Sequence, residues 1–598
     1  MFTLIQRLVS VLNKKQKSKL WLLQLLVVFS ALLEVVSVLA IGPFMAIVGN
    51  PSLLETNTLL NSIFIFFGFQ GENEFLVYTG FGVLFFMLVS AFLSVITIRL
   101  LSFFAADIGS GFGNRLYRFY MEKDYLYHLS VNSSELMKKI SVESNRVTDN
   151  ILQPLVQINA RFATIIFISV FIFLYNPYVA LSGVLILFFA YYAMYRVVRN
   201  RLFLNGESIS VYSRKRFSLM NEGFGSIKEL KILGRQKYFI DKFSESGDIF
   251  ARAYGSSNSL YNMPRYIMEF VVYSSMVSLI LVLLMAYDGD LASVLPVMAV
   301  FGMAAFKLLP SFQQVYSGLA QIRSNITAFD TIYEDLLAGL KSEDAFIDEQ
   351  SKTLTGDVCL KNITFKYPAA ISNALNGINL VIPHNKTVGI VGPSGSGKST
   401  LFDVLTGIIP PDSGVVTVGG VVVDKSNLRS WQNGIGYVSQ MTLIRDGTIA
   451  ENIAFGINPE CINNAKLISA AEMANLDVWL KSLPDGLNTM VGERGVQISG
   501  GQRQRIAIAR ALYHDANYLF FDEATSALDS MTEKSVVDAI EYMSGEKTIV
   551  MIAHRINTVK NCSIIYVVED GAIKDSGAYD ELIARSSIFA NMAGVSHE

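Results

Sequence analysis

The chain is poor in cysteine, in charged residues and in net charge. Its three cysteines among 598 residues, Cys359, Cys461 and Cys562, form no CxxC pair, which argues against a disulfide framework and indicates reduced thiols. Charged residues make up 17% and the net charge is −2, which gives no support to a nucleic-acid-binding function. The mean hydropathy of +0.39 is high for a soluble protein and, together with the small charged fraction, indicates mass embedded in a membrane.

Six apolar stretches are long enough to cross a bilayer, which takes about 20 residues of helix. They lie at 20–41, 75–101, 151–175, 178–198, 266–287 and 291–309. Tight turns are predicted at 176–177 and 288–290. The alternative is that these stretches are buried helices of a large soluble protein.

The distribution of basic residues predicts the orientation of these spans. The stretches 43–74, 176–177 and 288–290 contain no Lys or Arg, whereas the opposite ends of the spans carry basic clusters, including 115–118 and 196–201. Basic flanks remain on the cytoplasmic side. This predicts a multi-pass membrane protein with both termini in the cytoplasm.

Two charged excursions, 105–150 and 199–265, are too polar to face lipid and are predicted to extend the spans into the cytoplasm as helices. Within the second, glycines bracket 223–234, which predicts a short helix turned across the others. The segment 59–69 is too short to span and forms either a helix in the outer membrane interface or a packed loop.

A charged stretch at 341–352 marks a domain boundary. It separates a transmembrane domain with cytoplasmic extensions, 1–340, from a domain at 353–598. In the latter, short β-prone runs such as 359–367 and 415–423 alternate with helical patterns, which predicts a soluble α/β domain.

The C-terminal domain contains a phosphate-binding loop of the form G-x-x-x-x-G-K-[S/T]. The loop reads Gly392, Pro393, Ser394, Gly395, Ser396, Gly397, Lys398, Ser399 and Thr400. A predicted strand at 388–391 precedes it and a predicted helix at 399–409 follows, so the helix N-terminus faces the phosphates. Lys398 is expected to reach the β/γ-phosphates and the Ser399 hydroxyl to hold Mg²⁺.

Two further motifs complete a candidate ATP site. A predicted strand at 518–523 ends in Asp522, expected to hold Mg²⁺, and Glu523, expected to orient and deprotonate the attacking water. Taken alone, this pattern also fits a solvated strand end. Ser499, Gly500, Gly501 and Gln502 open a predicted helix at 502–513 and offer backbone donors to an anion, although an ordinary serine N-cap has the same pattern.

The order of these motifs resembles that of the ABC transporters. Gln440 resembles the Q-loop glutamine, a further Mg²⁺ ligand, and Asp529 resembles the acid of the D-loop. His554 resembles the switch histidine at the γ-phosphate, and Tyr367 resembles the aromatic residue that stacks on adenine. The stretch 491–495 resembles the exporter-specific loop before the signature.

The resemblance implies a fold, a cofactor pair and an assembly. The expected fold is a six-span type IV exporter-like transmembrane domain joined to an α/β P-loop ATPase domain. ATP with Mg²⁺ would lie between two such domains, the phosphate loop of one facing the signature of the other. A chain with one ATPase domain is therefore expected to work as a homodimer, an ATP-hydrolysing exporter in the bacterial inner membrane.

Charged residues within predicted spans are costly and usually functional. Together with one residue at a span end, they are Glu34, Arg99, Arg161, Arg265, Glu269 and Lys307. Arg265 and Glu269 lie four residues apart on one helix, so they either serve a substrate or pair with each other. Arg99 and Arg161 are expected to snorkel towards the span ends, and Lys307 either snorkels or lines a cavity.

The membrane half also resembles the PglK-type flippases of lipid-linked oligosaccharides. That resemblance implies contact with a lipid pyrophosphate through Arg265 and Lys307, with Glu34 and Glu269 as further substrate residues; a third basic position of the subfamily is Ser90 here. The resulting hypothesis is ATP-driven flipping of a polyprenyl diphosphate glycan. Alternatives are export of a lipid A-like lipid, a peptide or a hydrophobic drug, and a membrane-anchored ATPase that transports nothing.

Overall fold

The chain divides into two compact units. The first comprises Met1–Lys123 and Tyr127–Phe346, and the second comprises Asp124–Leu126 and Ile347–Glu598. The computed structural model describes residues 2–41, 44, 47–48, 62, 64–66, 69, 71–175, 177–286, 291–342, 353–368, 370–492, 497–523, 537–538, 540–553 and 555–594.

The first unit is helical. Its helices are α1 Phe2–Ser10, α2 Lys14–Leu39, α3 Glu72–Met121, α4 Tyr125–Ser130, α5 Ser133–Lys138, α6 Ser144–Val147, α7 Gln153–Tyr175, α8 Pro177–Gly225, α9 Ile227–Leu233, α10 Gln236–Ala286 and α11 Leu291–Ser342. The first two residues of α4 belong to the second unit. Short π-helical turns, Lys139–Glu143 and Thr148–Leu152, join α5, α6 and α7.

Four of these helices are far longer than a bilayer is thick. Helices α3, α8, α10 and α11 have 50, 49, 51 and 52 residues. At 1.5 Å per residue each runs for about 75 Å, against a hydrocarbon core of about 30 Å. The prediction that the excursions are helical extensions of the spans agrees with this continuity.

Three helical segments in the described part of the chain are long and apolar enough to cross a membrane. They are Lys14–Ser37, Asn73–Met121 and Ser133–Leu174, and they coincide with the first three of the six predicted spans. The other three predicted spans fall on α8, α10 and α11. The predicted turns at 176 and 288–290 lie outside the described residues, as do 343–352 of the linker.

The glycine-bracketed segment forms the predicted short helix. Helix α8 ends at Gly225, and α9 stops at Gly234, whose φ of 63° is left-handed. A residue without Cβ adopts this conformation at little cost, which explains the stop there. Of the predicted segment 59–69, Phe64 and Phe69 are among the few described residues, and their rings lie 5.6 and 5.3 Å from that of Phe75.

The second unit contains two sheets. One is antiparallel, in the order β2-β1-β4-β5, and the other runs β10-β9-β3-β8-β7-β6. The strands are β1 Val358–Phe365, β2 Leu375–Ile382, β3 Thr387–Val391, β4 Ser413–Val418, β5 Val421–Val422, β6 Ile435–Val438, β7 Tyr518–Asp522, β8 Thr548–Ile552, β9 Ile564–Glu569 and β10 Ala572–Gly577. Strands β9, β3, β8, β7 and β6 are parallel, so their carboxyl ends share one edge.

Helices alternate with these strands along the chain. They are α12 Lys398–Leu405, α13 Leu428–Gln432, α14 Ile449–Ile453, α15 Asn464–Met473, α16 Asp477–Ser482, α17 Gly500–Tyr513, α18 Tyr579–Arg585 and α19 Ser587–Met592. The α/β domain that the sequence predicted at 353–598 agrees with this arrangement.

One predicted helix end is wrong for a local reason, and one predicted β run contains a turn. The helix predicted at 399–409 ends at Leu405, because Gly407 adopts φ 70° and the N–H groups of Ile408 and Ile409 both bond to the Asp403 carbonyl. The β-prone run at 415–423 is the hairpin of β4 and β5, whose two-glycine turn has φ values of 56° and 81°.

Candidate nucleotide site and intramembrane charge cluster

The phosphate loop follows β3, and its glycines are required by close backbone approaches. A Cβ at Gly392 would lie 2.0 Å from the Val568 carbonyl oxygen, and one at Gly397 would lie 2.6 Å from that of Ala374. Contacts this short are excluded sterically, so the chain passes only with glycine there. Pro393, Ser394 and Gly395 are exposed at the loop tip.

Lys398 lies across this loop. Its Nζ donates to the carbonyl oxygens of Gly392 and Pro393, at 2.9 and 2.8 Å, and the residue is 5% exposed. Burial lowers the pKa of the Lys398 ammonium, and the charges of Glu523 and Asp522 oppose that effect. The lysine therefore lies within electrostatic reach of both acids at the end of β7.

The residues of the loop fit a phosphate group. The Ser396 hydroxyl is buried and has no hydrogen-bond partner among the residues that the structure describes. Helix α12 begins at Lys398 without a side-chain cap, since its N-cap residue is Gly397. A helix N-terminus with uncapped N–H groups and a buried hydroxyl beside it suit phosphate oxygens.

Tyr367 lies outside the parallel sheet and contacts the end of the phosphate loop. It follows β1, and its hydroxyl lies 3.2 Å from Thr400 Oγ1 on α12. Its ring meets that of Phe365 edge to face, with centroids 5.0 Å apart. The structure therefore brings the predicted adenine-stacking residue to the helix that follows the phosphate loop.

Two acids at the end of β7 lie beside the glutamine at the end of β6. Gln440 Nε2 donates to Glu523 Oε2 at 2.7 Å. Glu523 has a left-handed φ of 49°, and its N–H bonds to the Ile552 carbonyl at 3.2 Å. A left-handed backbone at a residue other than glycine points to a functional constraint on that side chain.

Asp522 has a neighbour that sequence reasoning missed. The Tyr437 hydroxyl donates to Asp522 Oδ2 at 3.0 Å, and burial followed by the charge of Asp522 raises the pKa of Tyr437. The strand register would have indicated this contact, because Tyr437 pairs with Phe520 on the neighbouring parallel strand. Asp522 lies two residues beyond Phe520 and therefore on the same face of the sheet. Asp403 is a second missed neighbour: burial, then the charge of Asp522, raises the pKa of Asp403 to about 6.

The predicted metal ligands offer oxygen donors suited to Mg²⁺. They are the Ser399 hydroxyl, the Gln440 amide and the Asp522 carboxylate, and no group of three or more His, Cys, Asp or Glu is arranged to hold a metal ion in the described part of the chain. Mg²⁺ is usually held by one or two protein oxygens together with waters and substrate phosphates. A nucleotide-dependent Mg²⁺ site fits this donor set.

The signature segment is a capped helix start. The Ser499 hydroxyl accepts from the Gln502 N–H at 3.3 Å, and Gln502 Oε1 accepts from the Ser499 N–H at 2.8 Å. This reciprocal box begins α17 at Gly500, two residues earlier than predicted. Asp529, His554 and 493–496 of the exporter-specific loop lie outside the described residues.

In the membrane unit, Glu34 lies between two basic residues from other helices. Its Oε1 is 2.9 Å from Lys307 Nζ, and its Oε2 is 3.7 Å from Arg161 Nη1. Arg161 Nε also donates to Gln314 Oε1 at 2.5 Å. The expectation that Arg161 snorkels is therefore wrong, because a carboxylate and an amide within the bundle hold its guanidinium.

Arg265 and Glu269 form the pair that their spacing allows. Arg265 Nε donates to Glu269 Oε1 at 2.9 Å along α10, and the Arg265 side chain is 63% exposed. They belong to a different cluster from Glu34 and Lys307. The structure therefore brings two of the four predicted substrate residues together and places the other two as a separate pair.

Comparisons with known proteins agree with this architecture. Residues 20–309 match the family described as the ABC transporter transmembrane region, and residues 375–526 match the family described as ABC transporter. A bacterial Atm1-family ABC exporter with ATP bound superposes with a TM-score of 0.74 at 20% identity, covering 95% of this chain and 98% of the other. This likeness confirms the type IV exporter fold.

Several of the relatives found carry the name ATP-dependent lipid A-core flippase. That of Cupriavidus metallidurans is 30% identical over 466 residues, 77% of either chain, and that of Saccharophagus degradans is 34% identical over 378 residues, 62% of either chain. The match thus spans about three fifths of the Saccharophagus protein and three quarters of the Cupriavidus protein.

The fold and the nucleotide site define a P-loop ATPase unit in one chain with a multi-pass membrane unit. The chain belongs to the ABC transporter family, in which it has the domain content of a half-exporter. The expectation of an ABC ATPase domain with an exporter-type membrane domain is confirmed.

Proposed function

We propose that the protein is an ATP-driven flippase that moves a phosphorylated glycolipid from the cytoplasmic to the outer leaflet. The observation that carries this proposal is the Gln440–Glu523 pair beside the phosphate loop, in a chain whose membrane unit holds a charged cluster around Glu34. The Gln440–Glu523 pair is suited to activating a water molecule against a bound nucleotide. The charged cluster around Glu34 is suited to a polar cargo within the bilayer.

In this mechanism Glu523 accepts the proton of the attacking water, and Gln440 fixes the orientation of its carboxylate from 2.7 Å away. Lys398 and the N–H groups of the loop would hold the phosphates, and Ser399, Asp522 and Gln440 would hold the metal. Mg²⁺, when bound, would neutralise charge on the phosphate oxygens. His554 is proposed at the γ-phosphate.

A homodimer would complete each site. Each chain contributes one phosphate loop and one signature, so the nucleotide held by one loop would meet Ser499, Gly500, Gly501 and Gln502 of a second copy, with Asp529 beside them. Tyr367 would stack on its adenine. Closure of the ATPase domains would reach the spans through the cytoplasmic extensions, which include α9.

The cargo is best described as a lipid with a phosphorylated sugar head. The names of the relatives favour a lipid A-like lipid over the lipid-linked oligosaccharide that the sequence resemblance put first. The oligosaccharide remains a second candidate, because Lys307 stands where the PglK-type resemblance asks for a basic residue. Arg265 supports it less, since it pairs with Glu269 along its own helix.

The proposed location is the bacterial inner membrane, with both termini in the cytoplasm because the basic flanks predict it. The domain boundary is proposed at 341–352, between a membrane domain at 1–340 and an ATPase domain at 353–598. The family matches at 20–309 and 375–526 fall on either side of it.

Reconstituted proteoliposomes test the proposal. The purified chain should hydrolyse ATP and move fluorescent lipid A, or labelled lipid-linked oligosaccharide, between leaflets. Glu523→Gln should retain ATP binding yet lose about a hundredfold or more of turnover, the scale for a general base. ATP turnover without movement of either lipid would refute the flippase proposal, and turnover by Glu523→Gln at the wild-type rate would refute the assignment of the base.

A further inference from the structure

A fully buried asparagine holds the stretch of chain that follows Gln440. We call this stretch, residues 441–452, the 441–452 segment. Asn452 is 0% exposed. Its Oδ1 accepts from the Arg445 N–H at 2.9 Å, and its Nδ2 donates to the carbonyl oxygens of Arg445 and Thr448 at 2.9 and 3.0 Å. Because both donors of the amide are used within the segment, its two halves are held in one arrangement.

Arg510, in the last turn of α17, joins the signature helix to this segment at two points. Its Nε donates to the Asn452 carbonyl at 2.9 Å, and its Nη2 donates to the Leu443 carbonyl at 3.1 Å. The Phe455 ring lies against the guanidinium, with Cζ 4.6 Å from the ring centroid. Because a guanidinium is a rigid planar fork, two bonds from this one side chain fix both the distance and the angle between α17 and the segment.

The two ends of this connection carry residues of the nucleotide site. Gln440, which donates to Glu523 at 2.7 Å, immediately precedes the segment. Ser499 caps the far end of the same 14-residue helix, about 20 Å from its last turn at 1.5 Å per residue. A displacement of Gln440 is therefore passed to the signature through one short segment and one side chain.

Backbone hydrogen bonds tie the same segment to the chain that leads into the exporter-specific loop. The Val491 N–H donates to the Gly447 carbonyl and the Ile449 N–H donates to the Thr489 carbonyl, both at 3.0 Å. These two bonds involve main-chain atoms alone. The connection through Arg510, by contrast, can be removed by a side-chain substitution that leaves this backbone ladder in place.

A second arginine on α17 has a different partner. Arg505 Nη1 donates to the Asn475 carbonyl at 2.9 Å, just beyond the end of α15. Both arginines are partly exposed, and both donate to backbone carbonyls. Arg505 thus anchors the same helix to its surroundings through a bond that does not involve the 441–452 segment.

We propose that Arg510 is a positioning residue for ATP hydrolysis, which sets the signature at Ser499 relative to Gln440 and so links the two nucleotide sites of a dimer. Gln440 responds to the nucleotide held by its own chain, whereas Ser499 would meet the nucleotide held by a second copy. This inference rests on the pairing of two copies in the proposed function. Arg510 itself touches no nucleotide and acts through the 441–452 segment.

ATP hydrolysis by the full chain in phosphatidylcholine nanodiscs tests the inference. Arg510→Gln should lower turnover about tenfold to a hundredfold, the scale for a misplacement of about 1 Å in a catalytic site, and should lower the Hill coefficient for ATP. Binding of a fluorescent ATP analogue without Mg²⁺ should change less than about twofold, because the phosphate loop is untouched. Arg510→Lys keeps the charge but loses the planar fork, so its turnover should be intermediate.

Arg505→Gln is the matched control. It removes an arginine–carbonyl bond from the same helix, so it should lower the melting temperature and leave turnover and the Hill coefficient as in the wild type. Asn452→Asp replaces both amide donors by acceptors that face carbonyl oxygens, and it should lower turnover as Arg510→Gln does. The double variant should lose less than the sum of the two single losses, because both substitutions loosen one connection.

Several outcomes would overturn the proposal. They are wild-type turnover and Hill coefficient in Arg510→Gln, an equal loss of turnover in Arg505→Gln, a parallel loss of nucleotide binding in Arg510→Gln, additive losses in the double variant, and non-cooperative hydrolysis by the wild type. If Arg510→Gln does not fold, Arg510→Lys carries the same comparison. No lipid movement is measured, so a chain that hydrolyses ATP and flips no lipid would refute the flippase proposal and leave this test intact.

Discussion

The hydrogen bond from Tyr437 to Asp522 predicts a defect in the use of Mg²⁺. Tyr437→Phe removes only the hydroxyl, which donates to Asp522 Oδ2 at 3.0 Å. Because burial and the charge of Asp522 raise the pKa of Tyr437, this hydroxyl stays protonated and donates throughout the neutral range. Its loss removes one of the contacts that orient the carboxylate towards the metal position.

The expected size of this Mg²⁺ defect depends on how exposed Tyr437 is. A hydrogen bond to a charged group contributes about 1.5–3 kcal/mol when buried, and Tyr437 is 40% exposed, so about 1 kcal/mol is a suitable discounted value. That corresponds to about a fivefold higher Mg²⁺ concentration for half-maximal ATPase activity. At saturating Mg²⁺ the turnover should change less than about twofold, since Glu523 is untouched.

The assay is ATPase activity against free Mg²⁺ at fixed ATP. Tyr566→Phe is the matched control: its hydroxyl donates to the Val381 carbonyl at 2.7 Å and accepts from the Val381 N–H at 3.1 Å. This control should lower the melting temperature and leave the Mg²⁺ dependence alone. An unchanged Mg²⁺ dependence in Tyr437→Phe, or an equal shift in Tyr566→Phe, would show that the bond does not position Asp522.

Further predictions concern the loop, the signature and the thiols. Lys398→Ala should weaken ATP binding by at least about tenfold in a fluorescent-nucleotide titration, since it removes a phosphate contact. Gly392→Ala should cost more than about 2 kcal/mol of unfolding free energy and abolish nucleotide binding, because its Cβ would meet a carbonyl 2.0 Å away. Ser499→Ala should lower stability by about 1 kcal/mol, measured by denaturant unfolding, through loss of the cap. Burial raises the pKa of the Cys562 thiol to about 12. At pH 8, iodoacetamide should therefore label exposed Cys461 about a thousandfold faster than Cys562, as measured by mass spectrometry of timed samples. Comparable labelling rates for the two cysteines would contradict the burial of the Cys562 thiol.

The nucleotide site was predictable where its geometry is encoded by consecutive residues. Gly392 and Gly397 permit the backbone path, and Lys398 follows directly as the first residue of a helix. The strand ending in Asp522 and Glu523 was equally predictable, because a short apolar run followed by acids is a local sequence pattern. Helix ends and the β4–β5 hairpin were harder to predict from the sequence, because a glycine inside an apolar run ends a helix or strand without interrupting the hydrophobic pattern.

The pairings between distant segments were not predictable. Tyr437 and Asp522 are 85 residues apart and meet through strand register, while Lys307 and Glu34 are 273 residues apart and meet through helix packing. The amphipathic pattern of a membrane helix does not fix its rotation against its neighbours, because lipid and protein interior are similarly apolar. Sequence therefore identified charged residues such as Arg161 without identifying their partners.

The sequence alone determined the ATPase machinery and the membrane character of this protein, because backbone curvature at glycine, strand-loop-helix order and the length of apolar runs are local properties. The tertiary structure decided which charges share an environment. It placed Arg161 and Lys307 around Glu34 and left Arg265 with Glu269. In a low-dielectric bundle the energy of a charge depends on the groups that packing brings within a few ångströms, and only the folded chain specifies those groups.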